Sequence, residues 1–263
     1  MILSRLSLTH FPCRVLSCLA CLQRVAFVVA ATSLVPAVAS AQLLIHPVLV
    51  EFGAAQRIAS VTVTLDSAAA EPMLLQADVL SWTQHLDGSA MSEGSDDLLV
   101  IPPMAELKPG EQQTFRIALR GARQQPEEVA YRLILEDVTA PPDDSSGQPG
   151  MAINFRMRHD LPMLLAPVGP VVNKLYWKPC PSEAGLACVR VVNAGNRRVS
   201  VQTLTLLGNG WQQALPLKIA ETVLAGTERE WRVPLAPGQA GAPRGVQVLS
   251  VRGETVQAEA AGF

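Results

Sequence analysis

The sequence predicts an all-β protein built as two sandwiches. Helical periodicity is nearly absent, while apolar residues alternate or form short runs, with turn signals roughly every 8–15 residues. The 222 residues that follow an N-terminal leader are enough for two sandwiches of roughly 100 residues each. With 49% apolar and 17% charged residues, the chain is neither disordered nor a coiled coil.

The leader comes first. Residues 25–35 form an uncharged apolar run directly after Arg24, Pro36 breaks any helix, and Ala39-Ser40-Ala41 places small residues at a cleavage site. That order is a secretory signal, expected to occupy residues 1–41 and to end at Ala41. Even extended to Ala39 the run reaches only about 15 residues, short of the roughly 20 needed to span a bilayer, so no stable membrane insertion is expected after cleavage. Removing the leader with Arg5, Arg14 and Arg24 leaves 18 basic residues against 23 acidic ones, a net charge of −5. Sequence-independent binding to nucleic acid or anionic lipid relies on basic patches, so both partner classes are excluded.

In the first half, strands are expected near Leu43–Phe52, Ala59–Asp66, Met73–Gln84, Leu98–Ile101, Gln113–Leu119, Val129–Val138 and Met151–Leu165. Lys108-Pro109-Gly110 is a turn, with Pro pre-setting φ and Gly accepting a positive one. Residues 140–150 form a polar Pro/Gly loop. The strand pattern restarts after Pro167-Val168-Gly169-Pro170, which sets the expected boundary between domains 42–168 and 169–263. In the second half, strands are expected at Lys174–Trp177, Leu186–Asn193, Arg198–Leu206, Leu215–Val223, Glu228–Leu235, Gly245–Val251 and Thr255–Glu259, with Asn209-Gly210 as a hairpin signal. Cys180 and Cys188 are the only cysteines beyond the leader. In an oxidising compartment their spacing reads as a disulfide closing a short loop.

Nothing in the sequence argues for catalysis, a metal or a cofactor. His46, His85 and His159 lack metal-ligand spacing, and no nucleophile elbow, P-loop or dinucleotide fingerprint occurs. His159 and Asp160 are adjacent, so on a strand they point to opposite faces and cannot act as a dyad.

One strand suggests a function. Met151, Ile153, Phe155 and Met157 alternate with Ala152, Asn154, Arg156 and Arg158. On spacing alone this is a half-buried strand facing its own core. Alternatively, it lies at a sheet edge, where main-chain hydrogen bonds bind a partner and alternate side chains fill the partner's pockets. Arg156 and Arg158 on its other face would then restrain aggregation of the edge.

Several segments, in order, carry a resemblance. They are Ile45-His46-Pro47-Val48-Leu49-Val50-Glu51-Phe52, then Ile101-Pro102-Pro103-Met104-Ala105-Glu106-Leu107-Lys108-Pro109-Gly110 leading into Thr114-Phe115-Arg116-Ile117. Next come Tyr131-Arg132-Leu133-Ile134-Leu135-Glu136-Asp137-Val138, the alternating strand running into Leu161-Pro162-Met163, and Asn193-Ala194-Gly195-Asn196-Arg197-Arg198. Together they resemble the periplasmic pilus-assembly chaperones of the chaperone–usher pathway, in the archaic, spore-coat-associated branch.

The resemblance implies two immunoglobulin-like domains set at an angle, a periplasmic location, and pilus or fimbrial subunits and an outer-membrane usher as partners. It also implies that Met151, Ile153, Phe155 and Met157 donate their side chains to complete an unfinished subunit, without nucleotide. The family's carboxylate-anchoring Arg and Lys fall on Leu49 and near His159 or Asp160, so neither permanent cation is present. Arg116, from the Phe-Arg-Ile segment, is the leading candidate replacement, with Arg132 and Arg158 behind it, because a guanidinium fork can give a carboxylate two parallel N–H bonds. Glu128 matches the acid of a family interdomain ion cluster whose Arg falls on Leu165 or Ala166. The competing reading is a secreted two-domain Ig-like structural or adhesive component of a surface fibre.

Overall fold

The computed structural model describes residues 43–121, 125–140, 156–181, 183, 185–237, 239 and 242–261. Among these residues the chain is all β and contains no helix. The first domain comprises β1 (Leu43–His46), β2 (Val50–Phe52), β3 (Ile58–Leu65), β4 (Met73–Gln84), β5 (Ala90–Gly94), β6 (Leu98–Ile101), β7 (Met104–Leu107), β8 (Gln112–Leu119), β9 (Val129–Asp137) and β10 (Arg158–Leu165). One sheet runs β1-β3-β8-β6; the other runs β2-β10-β9-β4-β5, with β7 also paired to β4.

Period-2 alternation packs these sheets face to face. Val61, Val63 and Leu65 of β3 and Phe115 and Ile117 of β8 meet Leu75 of β4, Tyr131, Leu133 and Leu135 of β9, and Leu161 and Met163 of β10 in one core. Burying each such side chain contributes about 1.5–3 kcal/mol before chain entropy is counted. The turn at residues 108–110 forms as expected, with Gly110 at φ 82°.

Three expectations are corrected. The strand expected over Leu43–Phe52 is two: Pro47 offers no amide donor, so β1 pairs with β3 in one sheet while β2 crosses to pair parallel with β10 in the other. β5 and β7 were not expected: β5 is exposed at all its positions, which erases the apolar alternation, and Pro102-Pro103 precede β7. The strand expected over Met151–Leu165 begins, among the described residues, at Arg158; Arg156 and Met157 precede it outside the strand. The Asp137 amide still donates to the Met157 carbonyl at 2.9 Å, extending β9's side of the pairing by one contact.

The second domain comprises β11 (Leu175–Pro179), β12 (Leu186–Asn193), β13 (Val199–Leu207), β14 (Gln212–Val223), β15 (Glu228–Pro234), β16 (Gly245–Ser250) and β17 (Thr255–Ala260). Their order is β14-β13-β16-β17-β11-β12-β15, and β17 joins the two faces by pairing antiparallel with β16 and parallel with β11. Trp177, Val189, Leu204, Leu206, Trp231 and Val248 fill its core. The Cys180–Cys188 disulfide forms across the β11–β12 hairpin, with Cα atoms 5.0 Å apart. A loop this short gives a stabilisation of about 2–3 kcal/mol. Glu230 lies beside the two sulfurs, the one grouping of metal-capable side chains among the described residues, and the sulfurs are tied up in the bond.

Candidate functional site

β10 is half paired. All of Arg158–Leu165 pairs with β9, but on the other side β2 covers only Met163, Leu164 and Leu165. Among the described residues, Arg158–Pro162 therefore presents an open backbone edge, where another strand can add main-chain hydrogen bonds. Met157, one residue before the strand, is 52% exposed. Met151, Ile153 and Phe155 lie outside the described residues.

Alternation along β10 gives this edge two faces. Leu161, Met163 and Leu165 enter the domain's core, so His159 shares their side, while Arg158, Asp160, Pro162 and Leu164 face outward. His159 and Asp160 thus point to opposite faces, as their adjacency predicts. On the outer face, register sets Pro162 beside Arg132 and Leu80, and Asp160 beside Ile134 and Asp78. Arg132 reaches diagonally across these rows: its Nη1 donates to Asp160 Oδ1 at 2.9 Å, and its guanidinium lies 4.2 Å from the centroid of the Trp82 ring.

The structure separates the three candidate arginines. Arg132 and Arg158 stand on the outer face of the sheet that carries the open edge. Arg116 lies on β8 in the other sheet, exposed and in register with Ser60 and Ile101. Leu49 is half exposed just before β2.

Sequence reasoning missed two features beside this face. The first is an apolar seam between domains, in which Ala130 and Leu164 pack against Leu224 of the second domain, with Trp82 against the group. The second is the partner of Glu128. Arg198 donates from Nη1 to Glu128 Oε2 at 2.6 Å, from its backbone N–H to Glu128 Oε1 at 3.1 Å, and from Nη2 to Glu51 Oε1 at 2.5 Å. Arg197 adds contacts of 3.6 Å to Glu51 and 3.7 Å to Glu128. A second-domain arginine thus takes the place that Leu165 and Ala166 leave without a cation.

The turn at residues 193–198 presents both arginines. Buried Asn193 accepts from the Gly195 amide and donates to the Arg197 and Val223 carbonyls. A Cβ on Gly195 would lie 2.3 Å from the Val172 carbonyl oxygen, so only glycine fits there. The detectable signal was two adjacent arginines immediately after the Asn-Ala-Gly-Asn turn.

The Arg198 hydrogen bond holds the Glu51 carboxyl below its usual range; partial burial opposes this, and the charges of Arg198, Arg197 and Arg252 add to it. Because the folded value lies below the unfolded one, the contribution of Glu51 is complete above the ordinary carboxylate range. It disappears as pH falls through the lowered value. Small-angle scattering is expected to be constant from pH 7 to about 5 and to report looser interdomain arrangements below about pH 4. Glu51→Gln should reduce that change, and an unaltered profile would remove Glu51 from the interdomain linkage.

Residues 42–170 match the family described as pili and flagellar-assembly chaperone, PapD N-terminal domain. No curated protein matches the sequence. Among solved structures, the chain is similar to one from the CsuC–CsuE chaperone–tip adhesion subunit pre-assembly complex of archaic chaperone–usher Csu pili of Acinetobacter baumannii. The TM-score is 0.61 at 16% identity, covering 84% of this chain and all of that one. The class 5 fimbriae chaperone CfaA gives 0.59 at 11% identity, covering 84% and 100% of the two chains. The E. coli chaperone DraB gives 0.53 at 20% identity, covering 82% and 96%. These likenesses place the fold as a pair of Ig-like sandwiches.

Proposed function

We propose that the chain is a periplasmic chaperone of pilus assembly, of the archaic, spore-coat-associated branch, that folds and caps pilus subunits by lending them a strand. It delivers them to an outer-membrane usher. The observation that carries this reading is the open backbone edge of Arg158–Pro162, paired on one side only. Met151, Ile153, Phe155 and Met157 precede it and supply the donated side chains. The family match over residues 42–170 supports the reading, and the similar CsuC–CsuE structure is itself a chaperone–subunit complex. A leader over 1–41 and domains over 42–168 and 169–263 complete the proposed layout.

The parity of the strand explains why the donor residues serve a partner. A strand continued at the same period would bring them to the side of Leu161 and Met163, which fill this domain's own core. Among the described residues, Met157 is already exposed. An unfinished subunit placed beside the edge would continue the same sheet and receive the same row of apolar side chains. No nucleotide is required, because folding free energy retained in the chaperone complex is released when a better-fitting subunit strand replaces it.

For the subunit's terminal carboxylate, Arg132 is the best-placed cation, because it stands on the outer face of the sheet with the open edge, with Arg158 further along β10. The test is co-expression with small secreted β-proteins encoded beside this chain, scored by recovery of a soluble one-to-one complex. Arg132→Ala should weaken recovery about tenfold, in line with loss of a charge-assisted hydrogen bond. Arg120→Ala, which removes only the exposed 3.9 Å contact with Asp96, should leave recovery unchanged. Equal recovery from both variants would withdraw the anchoring role. Absence of any complex with the unaltered chain would withdraw the chaperone reading.

A further inference from the structure

We propose that Trp82 is a positioning residue through which the second domain holds the Arg132 guanidinium in place. The proposal rests on the reading of Arg132 as the subunit anchor, and it makes subunit capture depend on the interdomain seam as well as on the donor edge. Trp82 has two sets of contacts. Its ring lies under the Arg132 guanidinium at 4.2 Å, and it packs against the cluster formed by Ala130, Leu164 and the second domain's Leu224. The same strand is fixed to the second domain two residues further on. Gln84 Oε1 accepts from the Leu224 amide at 2.9 Å, and Gln84 Nε2 donates to the Thr222 carbonyl at 3.3 Å. Trp82 and Gln84 share a strand face, so the segment bearing Leu224 grips β4 next to the indole and through it.

Few other contacts hold the arginine. Among the described residues, Trp82 Nε1 and Arg132 Nε are buried and have no hydrogen-bond partner. Among the described residues, the Asp160 carboxylate and the indole face are the two holds on the Arg132 guanidinium. A guanidinium over an aromatic face is attracted by the ring quadrupole, more strongly when water is excluded. If the seam moves, the indole moves with it. The Asp160 ion pair then remains the principal hold, and the guanidinium turns toward that carboxylate, away from an incoming one.

The experiment reads the Arg132 Nε–H resonance in the free full-length chain, assigned by its disappearance in Arg132→Lys. Stacking on the indole is expected to shift this proton upfield. Trp82→Leu, which keeps apolar bulk but removes the ring, should abolish the shift, whereas Trp82→Phe should retain most of it. Leu224→Ala and Gln84→Ala, at the contact between β4 and the second domain, should each reduce the shift while the chain stays folded by thermal melting. A resonance unmoved in both second-domain-contact variants would overturn the relay.

Capture provides a second arm, measured on the subunit recovered with the unaltered chain. Trp82→Leu should weaken it about 3–30-fold, and Trp82→Phe should restore most of the loss. Equal loss in Trp82→Leu and Trp82→Phe would assign Trp82 a packing role only and overturn the proposal. If Arg132→Ala leaves capture intact, the anchor reading falls, and the resonance arm still decides whether the relay exists.

Discussion

Replacing Phe155 with aspartate should abolish recovery of the proposed complex with a subunit while leaving this chain folded, the largest effect expected for the proposed function. A buried Phe contributes about 1.5–3 kcal/mol to the complex, and placing a carboxylate in the partner's interior adds a desolvation penalty of several kcal/mol. Together these exceed two orders of magnitude in affinity. The chain itself should tolerate the change, because among the described residues the core row on this side of β10 ends with Leu161 and Met157 is already exposed. The measurement is co-purification with the subunit, alongside a thermal melt of the variant alone. Unchanged recovery would end the donor-strand assignment, and a collapsed melt would show that Phe155 serves this chain's own fold.

The second large effect is on stability. Arg198→Ala should lower the unfolding free energy by about 2–4 kcal/mol, because it leaves the Glu128 carboxylate buried without its main counter-charge. The side chains of Arg198 and Glu128 are only 11% and 4% exposed, so water replaces little of what is lost. Arg197, 3.7 Å from Glu128, can recover part of the interaction, which keeps the expected loss below the top of the range for buried pairs. Arg198→Lys should recover the charge but not the fork that reaches Glu51 and Glu128 together. Denaturant unfolding of the three proteins decides it. A loss below about 0.5 kcal/mol for Arg198→Ala would reduce the cluster to a surface ion pair.

The legibility of the sequence followed the range of each interaction. Strands β3, β4 and β6 could be read because their burial alternates along a few consecutive residues, and β9 because it is a short, nearly continuous apolar run. The first strand's division at Pro47 was visible as a proline but not as a change of sheet, since the partner of each half lies far along the chain. Fully exposed β5 had no apolar row to detect. Arg132 was identified as a cation on a strand. Its relation to Trp82 and Asp160 was not, because it depends on a diagonal across three strands whose register local sequence does not specify. Arg116, the leading candidate in sequence, was separated from the sheet with the open edge only once the strands were assigned to sheets.

The sequence by itself determined the all-β class, the restart of the strand pattern near Gly169, the pairing of Cys180 with Cys188 and the alternating row at Met151–Met157. Each follows from residues close together in the chain, through side-chain period, turn chemistry or short-loop closure. Only the tertiary structure decided that, among the described residues, β2 covers one flank of β10 for three residues, that Arg198 neutralises Glu128 across the domain boundary, and that Trp82 touches both Arg132 and the interdomain seam. Those are relations among residues separated by long stretches of chain. They come into being when sheets pair and domains meet, and no local pattern encodes which distant side chain will fill the space beside another.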